Sequence, residues 1–330
     1  MSRTMRIKGS LLLFLMSALT AIQTVGAAEK SAQLSTVRIG YVSRSILDMP
    51  YMIARDRGLF REEGLEPELI FMKAAQTVPA MLANGIDFGT ATGTAVAAAV
   101  NGVDVRIVFA LTDKPSFDLI AAPNITSVQQ LRGKKVGVTA YGALAEILAR
   151  QILIANKVPV DQVTFLPLGT SDVTYLALKA KTIDATMLQI PQNFLAVDEG
   201  FRKLASGADV YRAVQGGLTT TKATTSDRPE LVTKMVRATQ RSLRLIRDDK
   251  KYALQFIRGP YLDLGKDRER FAERIYDAAL QYYLPSGSVD EKLQREMIAV
   301  AAQRIKGAHP LPPERVFDFS FTQKVSEALR

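Results

Sequence analysis

Apolar positions along the chain follow two periods that alternate. Val37–Val42 places apolar and β-branched residues at alternate positions, which predicts a strand. The polar loop Ser43–Asp48 follows, and a helix is predicted from Pro50, a good first-turn residue, to a stop at Gly58. Leu69–Phe71 reads as a second short strand. Thr77–Ala83 reads as a helix ended by Asn84 and Gly85, and Ile86–Gly89 as a strand running into Thr90–Thr94. A further helix is predicted over about 94–101, then a buried strand, Val105–Ala110. Strands alternating with helices imply parallel pairing with helical crossovers, an α/β layer fold.

The same order then recurs. Lys134–Thr139 is a predicted strand, Ala140–Ala143 its loop, Leu144–Asn156 a helix, and Val163–Leu168 a strand followed by the turn Gly169–Asp172. Ala80–Asp87 and Ala177–Asp184 both read as a helix end, a turn, Ile-Asp and a strand of small residues. Two pairs of this kind, in one order, predict two doubly wound lobes of similar design. After Thr221 the pattern becomes helical, over 229–248, 250–258, 266–283 and 288–306. Ser288 and Glu291 form a capping box, and Gly307 is a stop. This tail has too few strands for a third lobe. It is expected to return to the first lobe, so that the chain crosses between lobes near 111–116 and 217–223.

The N-terminus has a different character. Arg3, Arg6 and Lys8 precede an apolar run, Leu11–Ile22, and Gly26–Ala28 supplies small residues for cleavage after Ala28. This is the layout of a secretory signal peptide over 1–28, too short for a membrane span. The expected location is periplasmic. A lipoprotein anchor needs a Cys at the cleavage point, and the chain has no Cys.

Composition removes much chemistry from the remaining chain. With 330 residues, no Cys, no Trp and one His, disulfides, thiolate nucleophiles, Cys-based metal sites and multi-histidine sites are excluded. His309 sits in a turn-prone stretch before Pro310 and reads as a surface residue. No metal site or cofactor is expected. The net charge is +10, and loss of the leader's three basic residues leaves +7. Most of the surplus lies beyond residue 220. There Arg237, Arg241 and Arg244 make one helical stripe, read as a solvated face rather than a nucleic-acid surface because acids interleave and no stacking aromatics accompany it.

Ligands of open α/β sheets bind outside the carboxyl ends of the strands. The loops there offer hydroxyls, glycines and helix N-termini: Ser43 and Arg44; Ala91, Thr92, Gly93 and Thr94; Thr139, Tyr141, Gly142 and Ala143; Gly169 and Thr170. The other reading of these loops is ordinary turns with Ser and Thr caps. Arg44 reads equally as a clamp for an anionic group or as a surface charge, and Tyr141 as a ligand cover or a rim residue. Asp87 and Asp184 follow Ile at strand starts, away from the ligand end, and read as capping or salt-bridging groups. No phosphate-loop, dinucleotide or G-x-S-x-G pattern exists.

Val37–Val42 with Pro50–Phe60, Gly64–Glu66, Ala83–Gly89, Ser127–Val138 and Ile183–Ala185 together resemble the solute-binding proteins of ABC importers. The resemblance is to the nitrate, sulfonate, taurine and thiamine-precursor binding group. It implies a type 2 periplasmic binding fold with two α/β lobes, a two-strand hinge and a ligand in the cleft between them. The lobes implied are 36–112 plus 222–330, and 113–221. It also implies ligand loops at Ser43–Arg44, Ala91–Thr94, Thr139–Ala143 and the strand end Asp184–Gln189, which adds Gln189. Thr139–Ala143 and Gln189 depart from the sulfonate-binding pattern. The implied function is capture of a small polar or anionic organic solute by hinge closure, with delivery to an inner-membrane permease by a monomer. No enzymatic activity and no nucleic-acid partner are expected. An enzyme of lyase or dehydratase type on this fold, and a periplasmic sensor subunit, are the alternatives.

Overall fold

Two five-stranded sheets carry the chain, and the same strand order is written in each. The computed structural model describes residues 34–263, 270–305 and 309–328. The expected signal peptide 1–28 and the expected stop at Gly307 lie outside the described residues. The first sheet holds β1 (Ser35–Tyr41), β2 (Leu65–Phe71), β3 (Phe88–Gly89), β4 (Val105–Ala110) and β10 (Gly217–Thr221), in the order β2-β1-β3-β10-β4. The second holds β5 (Phe117–Ala121), β6 (Lys135–Val138), β7 (Thr164–Pro167), β8 (Ala185–Gln189) and β9 (Arg202–Ser206), in the order β7-β6-β8-β5-β9. In each, the first three strands pair in parallel and the rest make the sheet mixed.

The repeated Ile-Asp has a physical cause. Asp87 accepts from the Arg38 N–H at 2.8 Å and Asp184 from the Lys135 N–H at 2.8 Å, so each carboxylate holds a backbone N–H of the neighbouring strand. Each also meets a cation, Arg228 for Asp87 and Lys134 for Asp184. The isoleucines pack where β1 and β6 carry glycine. A Cβ on Gly40 would stand 2.7 Å from Ile86 Cδ1, and one on Gly137 would stand 2.6 Å from Ile183 Cδ1.

Helices cover the sheets, with α2 and α7 beyond those the periodicity predicts: α1 (Met49–Asp56), α2 (Leu59–Glu62), α3 (Ala74–Leu82) and α4 (Thr92–Val100) on the first, α5 (Leu144–Ala155), α6 (Ser171–Lys179) and α7 (Gln192–Asp198) on the second. The tail supplies α8 (Lys222–Asp227), α9 (Pro229–Asp248), α10 (Lys250–Phe256), α11 (Arg270–Tyr282), α12 (Glu291–Gln303) and α13 (Ser320–Ala328). α9 buries Val232, Met235, Val236 and Ile246 in one cluster with Ile53 and Phe60, so the tail packs on the first lobe.

Four readings are corrected. The strand 217–221 pairs with β3 and β4, so the return to the first lobe is complete before Gly217 rather than within 217–223. The crossing segments pair with each other, Leu111 N–H on the Gly216 carbonyl at 3.1 Å and Gln215 N–H on the Thr112 carbonyl at 3.3 Å. β5 and β9 carry no predicted element, because the buried Asp118 interrupts the apolar residues of Phe117–Ala121 and Arg202–Ser206 is a half-exposed edge strand. Asp290, not Ser288, caps α12, accepting from the Leu293 N–H at 2.8 Å. The arginine stripe is not a solvated face. Arg237 binds Glu63 at 2.7 Å and Arg241 reaches Glu62 and Glu63, where Glu63 is only 8% exposed, so the stripe ties α9 to the end of α2.

Candidate functional site

The carboxyl ends of the two sheets meet. Leu47, after β1, and Ile190, after β8, share one apolar cluster. Between them run the crossings, tied to both lobes. Thr92 donates to the Val214 carbonyl at 3.0 Å, and Gln215 donates to Gln189 Oε1 at 3.5 Å. Gln215 Oε1 in turn accepts from Ser116 N–H at 2.6 Å.

The β1–α1 loop is built around a residue that sequence reading passed over, Asp48. Its Oδ2 accepts from the Ser43 N–H at 2.9 Å and the Ser43 hydroxyl at 2.8 Å. The loop's carbonyls are held from the tail: Tyr261 donates to Ser45 and Tyr283 to Ile46. Asp48 is 1% exposed. Burial pushes its carboxyl up to about 6 against the opposing bonds of Ser43 and the nearby hydroxyl of Thr90. Neither Asp48 Oδ1 nor Thr90 Oγ1 completes a well-aligned hydrogen bond, and the buried Tyr51 hydroxyl is likewise unpartnered. The signal in the sequence was an Asp directly before a helix that starts with Met49 and Pro50. That position suggests an N-cap, yet the side chain makes no cap bond and turns back to Ser43 instead.

The other expected residues divide into three kinds. Arg44 is exposed and has no ion-pair or hydrogen-bond partner among the described residues, while Gly93 is exposed and Thr94 half-buried at the start of α4. Thr92 and Thr170 are committed to structure. Thr92 is buried on Val214, and Thr170 caps α6 by accepting from the Val173 N–H at 3.3 Å. Ala91 and Ala143 stand at the caps of α4 and α5 without a side-chain bond, and the Gly169 N–H donates to the Thr139 carbonyl at 2.9 Å. Thr170→Ala is expected to lower stability by about 1 kcal/mol in a urea titration and to leave ligand affinity unchanged.

The loop Thr139–Ala143 differs from a free helix N-terminus. Glu146, in the first turn of α5, folds back and accepts from the Gly142 N–H at 2.6 Å, while Arg150 donates to its other oxygen at 2.7 Å. Burial raises the Glu146 carboxyl, but the Gly142 N–H and Arg150 outweigh it and hold it below the usual range. The chain's own carboxylate therefore stands where the helix would favour an external anion. Tyr141 donates to the Phe165 carbonyl at 3.0 Å and leaves 63% of its surface exposed. In the first lobe Tyr41 and Phe71, at the ends of β1 and β2, pack with ring centroids 5.4 Å apart, and Phe71 is 60% exposed. Among the described residues no cluster of acidic or histidine side chains forms a metal site. No helix among them is long and apolar enough to cross a membrane.

The model of the family described as NMT1/THI5-like matches residues 48–253, which runs from Asp48 through both sheets to α10. The chain belongs to the NMT1/THI5-like family. Among curated proteins, it is 27% identical over 263 residues to the riboflavin-binding protein RibY of Chloroflexus aurantiacus, covering 75% of this chain and 74% of that one. Among solved structures, it superposes on the alkanesulfonate-binding protein SsuA of Xanthomonas axonopodis, bound there to MOPS, with a TM-score of 0.69 at 17% identity. That match covers 87% of this chain and 99% of the other. It also superposes on the desulfurization enzyme DSZB, with a TM-score of 0.63 at 15% identity, covering 90% of this chain and all of the other. The two-lobed α/β fold is thus that of periplasmic binding proteins, and it is shared with an enzyme. Fold alone does not choose between binding and catalysis.

Proposed function

We propose that the chain is the ligand-binding component of an ABC-type importer, exported to the periplasm and acting as a monomer beside an inner-membrane permease. It takes a polar organic solute between lobes 36–112 plus 222–330 and 113–221, with the second boundary drawn back to residue 216, and closes over it. The observation that carries the reading is the meeting of the two sheets' carboxyl ends, with exposed aromatic faces at the strand ends of both lobes.

The ligand class follows from the same loops. Glu146 occupies the α5 N-terminus with negative charge, which disfavours a compact anion there. Phe71 with Tyr41, and Tyr141, present ring faces suited to stacking on a planar solute. RibY is named for riboflavin, a planar ring system, and this agrees with that preference. We therefore favour an uncharged, ring-bearing polar solute over sulfonate or nitrate, with Arg44, Gly93, Thr94, Tyr141 and Gln189 as contacts. The enzyme reading has one observation in its favour, the raised carboxyl of Asp48. That carboxyl is 1% exposed and engaged with Ser43, which makes it a support of the loop rather than a proton carrier to a substrate.

A thermal-shift panel tests this. A ligand at a hundred times its Kd stabilises by about 2.7 kcal/mol. Riboflavin, lumichrome and aminopyrimidines are expected to contain the compounds that shift the melting midpoint, while nitrate, sulfate and ethanesulfonate leave it in place. A shift from the anions alone would overturn the ligand class, and no shift from any organic solute would overturn the binding reading.

A further inference from the structure

The two lobes touch at two separate places through arginines of the tail. Arg274 and Arg270, on α11, reach Asp198 at the end of α7, with Nη1–Oδ1 at 2.9 Å and Nη2–Oδ2 at 3.2 Å. Both carboxylate oxygens are thereby used by cations of the other lobe. One turn earlier on α7, Phe194 lies under the Arg274 guanidinium at 4.5 Å and packs against the first lobe's core. At the second place Arg304, at the C-cap of α12, donates to the Gly142 carbonyl at 3.1 Å, inside the expected ligand loop of the second lobe. The Arg304 charge also bears on Glu146 and Tyr211 of that lobe.

We infer that Arg270, Arg274 and Arg304 are positioning residues that hold the second lobe against the first, with Asp198 and the Gly142 carbonyl as their acceptors. The inference rests on the closure reading above and adds to it the groups that set the closed arrangement. Asp198 ends its own helix, where a negative charge is disfavoured by the backbone carbonyls, so nothing on α7 itself accounts for an acid at this position. The basic surplus of the tail acquires a role: part of it faces the second lobe. The Asp198 side chain is 23% exposed and the Arg274 side chain 43%. A clasp this accessible to water is weakened by salt and opens without large loss of fold stability. Because the protein's own carboxylate and carbonyl engage these cations, closure does not require an anionic ligand.

The absence of Cys makes the test direct. Ala75→Cys on α3 and Val173→Cys on α6 place spin labels at exposed positions near the carboxyl ends of β2 and β7. Pulsed EPR then reads the distance between lobes with no ligand added. The expected result is a short-distance population at low salt that declines at high salt. Asp198→Asn, and separately Arg304→Ala, are expected to change the open-to-closed ratio about fivefold. Asp198→Arg opens the cleft further, and Arg274→Asp in that background restores part of the short distance, which a purely structural role would not do. Identical distance distributions in the parent, Asp198→Asn and Arg304→Ala would overturn the inference. Since no ligand enters this measurement, a failed solute panel does not affect it, whereas a solute that binds while the distances stay unchanged would overturn the closure reading on which the inference rests.

Discussion

Asp48→Asn will raise stability at pH 7 and remove one component of the pH dependence between pH 4 and 6. The folded protein raises this carboxyl from 3.8 to about 6 because burial disfavours its charge. The folded state then holds a proton that the unfolded state has released. Stability from this group is full below about pH 4 and is lost as pH rises through 6, by about 3 kcal/mol at most. Asn carries no charge to bury. Its Oδ1 can accept both bonds that Ser43 now gives to Oδ2, and its Nδ2 can donate to Thr90 Oγ1, which completes no hydrogen bond at present. The expected gain is a melting midpoint roughly 5 °C higher at pH 7, shrinking toward zero at pH 4. Glu146 is held below the usual range and acts in the opposite sense in both proteins, so the difference between them isolates Asp48. Equal midpoint differences at pH 4 and pH 7 would show that Asp48 is not the group responsible.

Gly217→Ala will leave little folded protein. Gly217 opens β10 at φ +148°, where a side chain is strained, and a Cβ there would stand 2.0 Å from the Phe109 carbonyl oxygen. That oxygen belongs to β4, the strand paired with β10, so relief requires parting the two strands. β10 also pairs with β3 and directly follows the second crossing, so one methyl group disturbs both the sheet and the end of the crossing segment. The expected loss exceeds about 4 kcal/mol, seen as a fall of the melting midpoint by roughly 10 °C or more or as insoluble product. Gly259→Ala is the control: a Cβ there meets nothing within 4 Å, and the change should be neutral or slightly stabilising.

The two-lobed plan was legible because local pattern and tertiary role coincide in it. The strands β1, β4 and β6 are bounded by polar turns, and the twin Ile-Asp steps recur because each Ile fills the space over a strand glycine while each Asp holds a backbone N–H. α9 was readable to the residue, since Pro229 starts it and its apolar stripe is continuous. What was not legible depended on partners far along the chain. β10 is a short run of Gly, Leu and Thr that becomes a strand only between β3 and β4. Thr92 looked like a ligand hydroxyl but finds Val214, and Asp48 looked like a loop residue but is enclosed by tyrosines from the tail. The pairing of Arg274 with Asp198 spans 76 residues between two lobes, and no periodicity within either helix announces it.

The central claim is that the cleft binds a solute and returns it unaltered. Equilibrium dialysis of the purified chain against the solute panel, followed by mass spectrometry of what is retained, tests it most directly. The account predicts one ring-bearing solute retained at one molecule per chain and recovered with its mass unchanged. Recovery of a product of different mass, or a folded chain that retains none of the solutes, would contradict it.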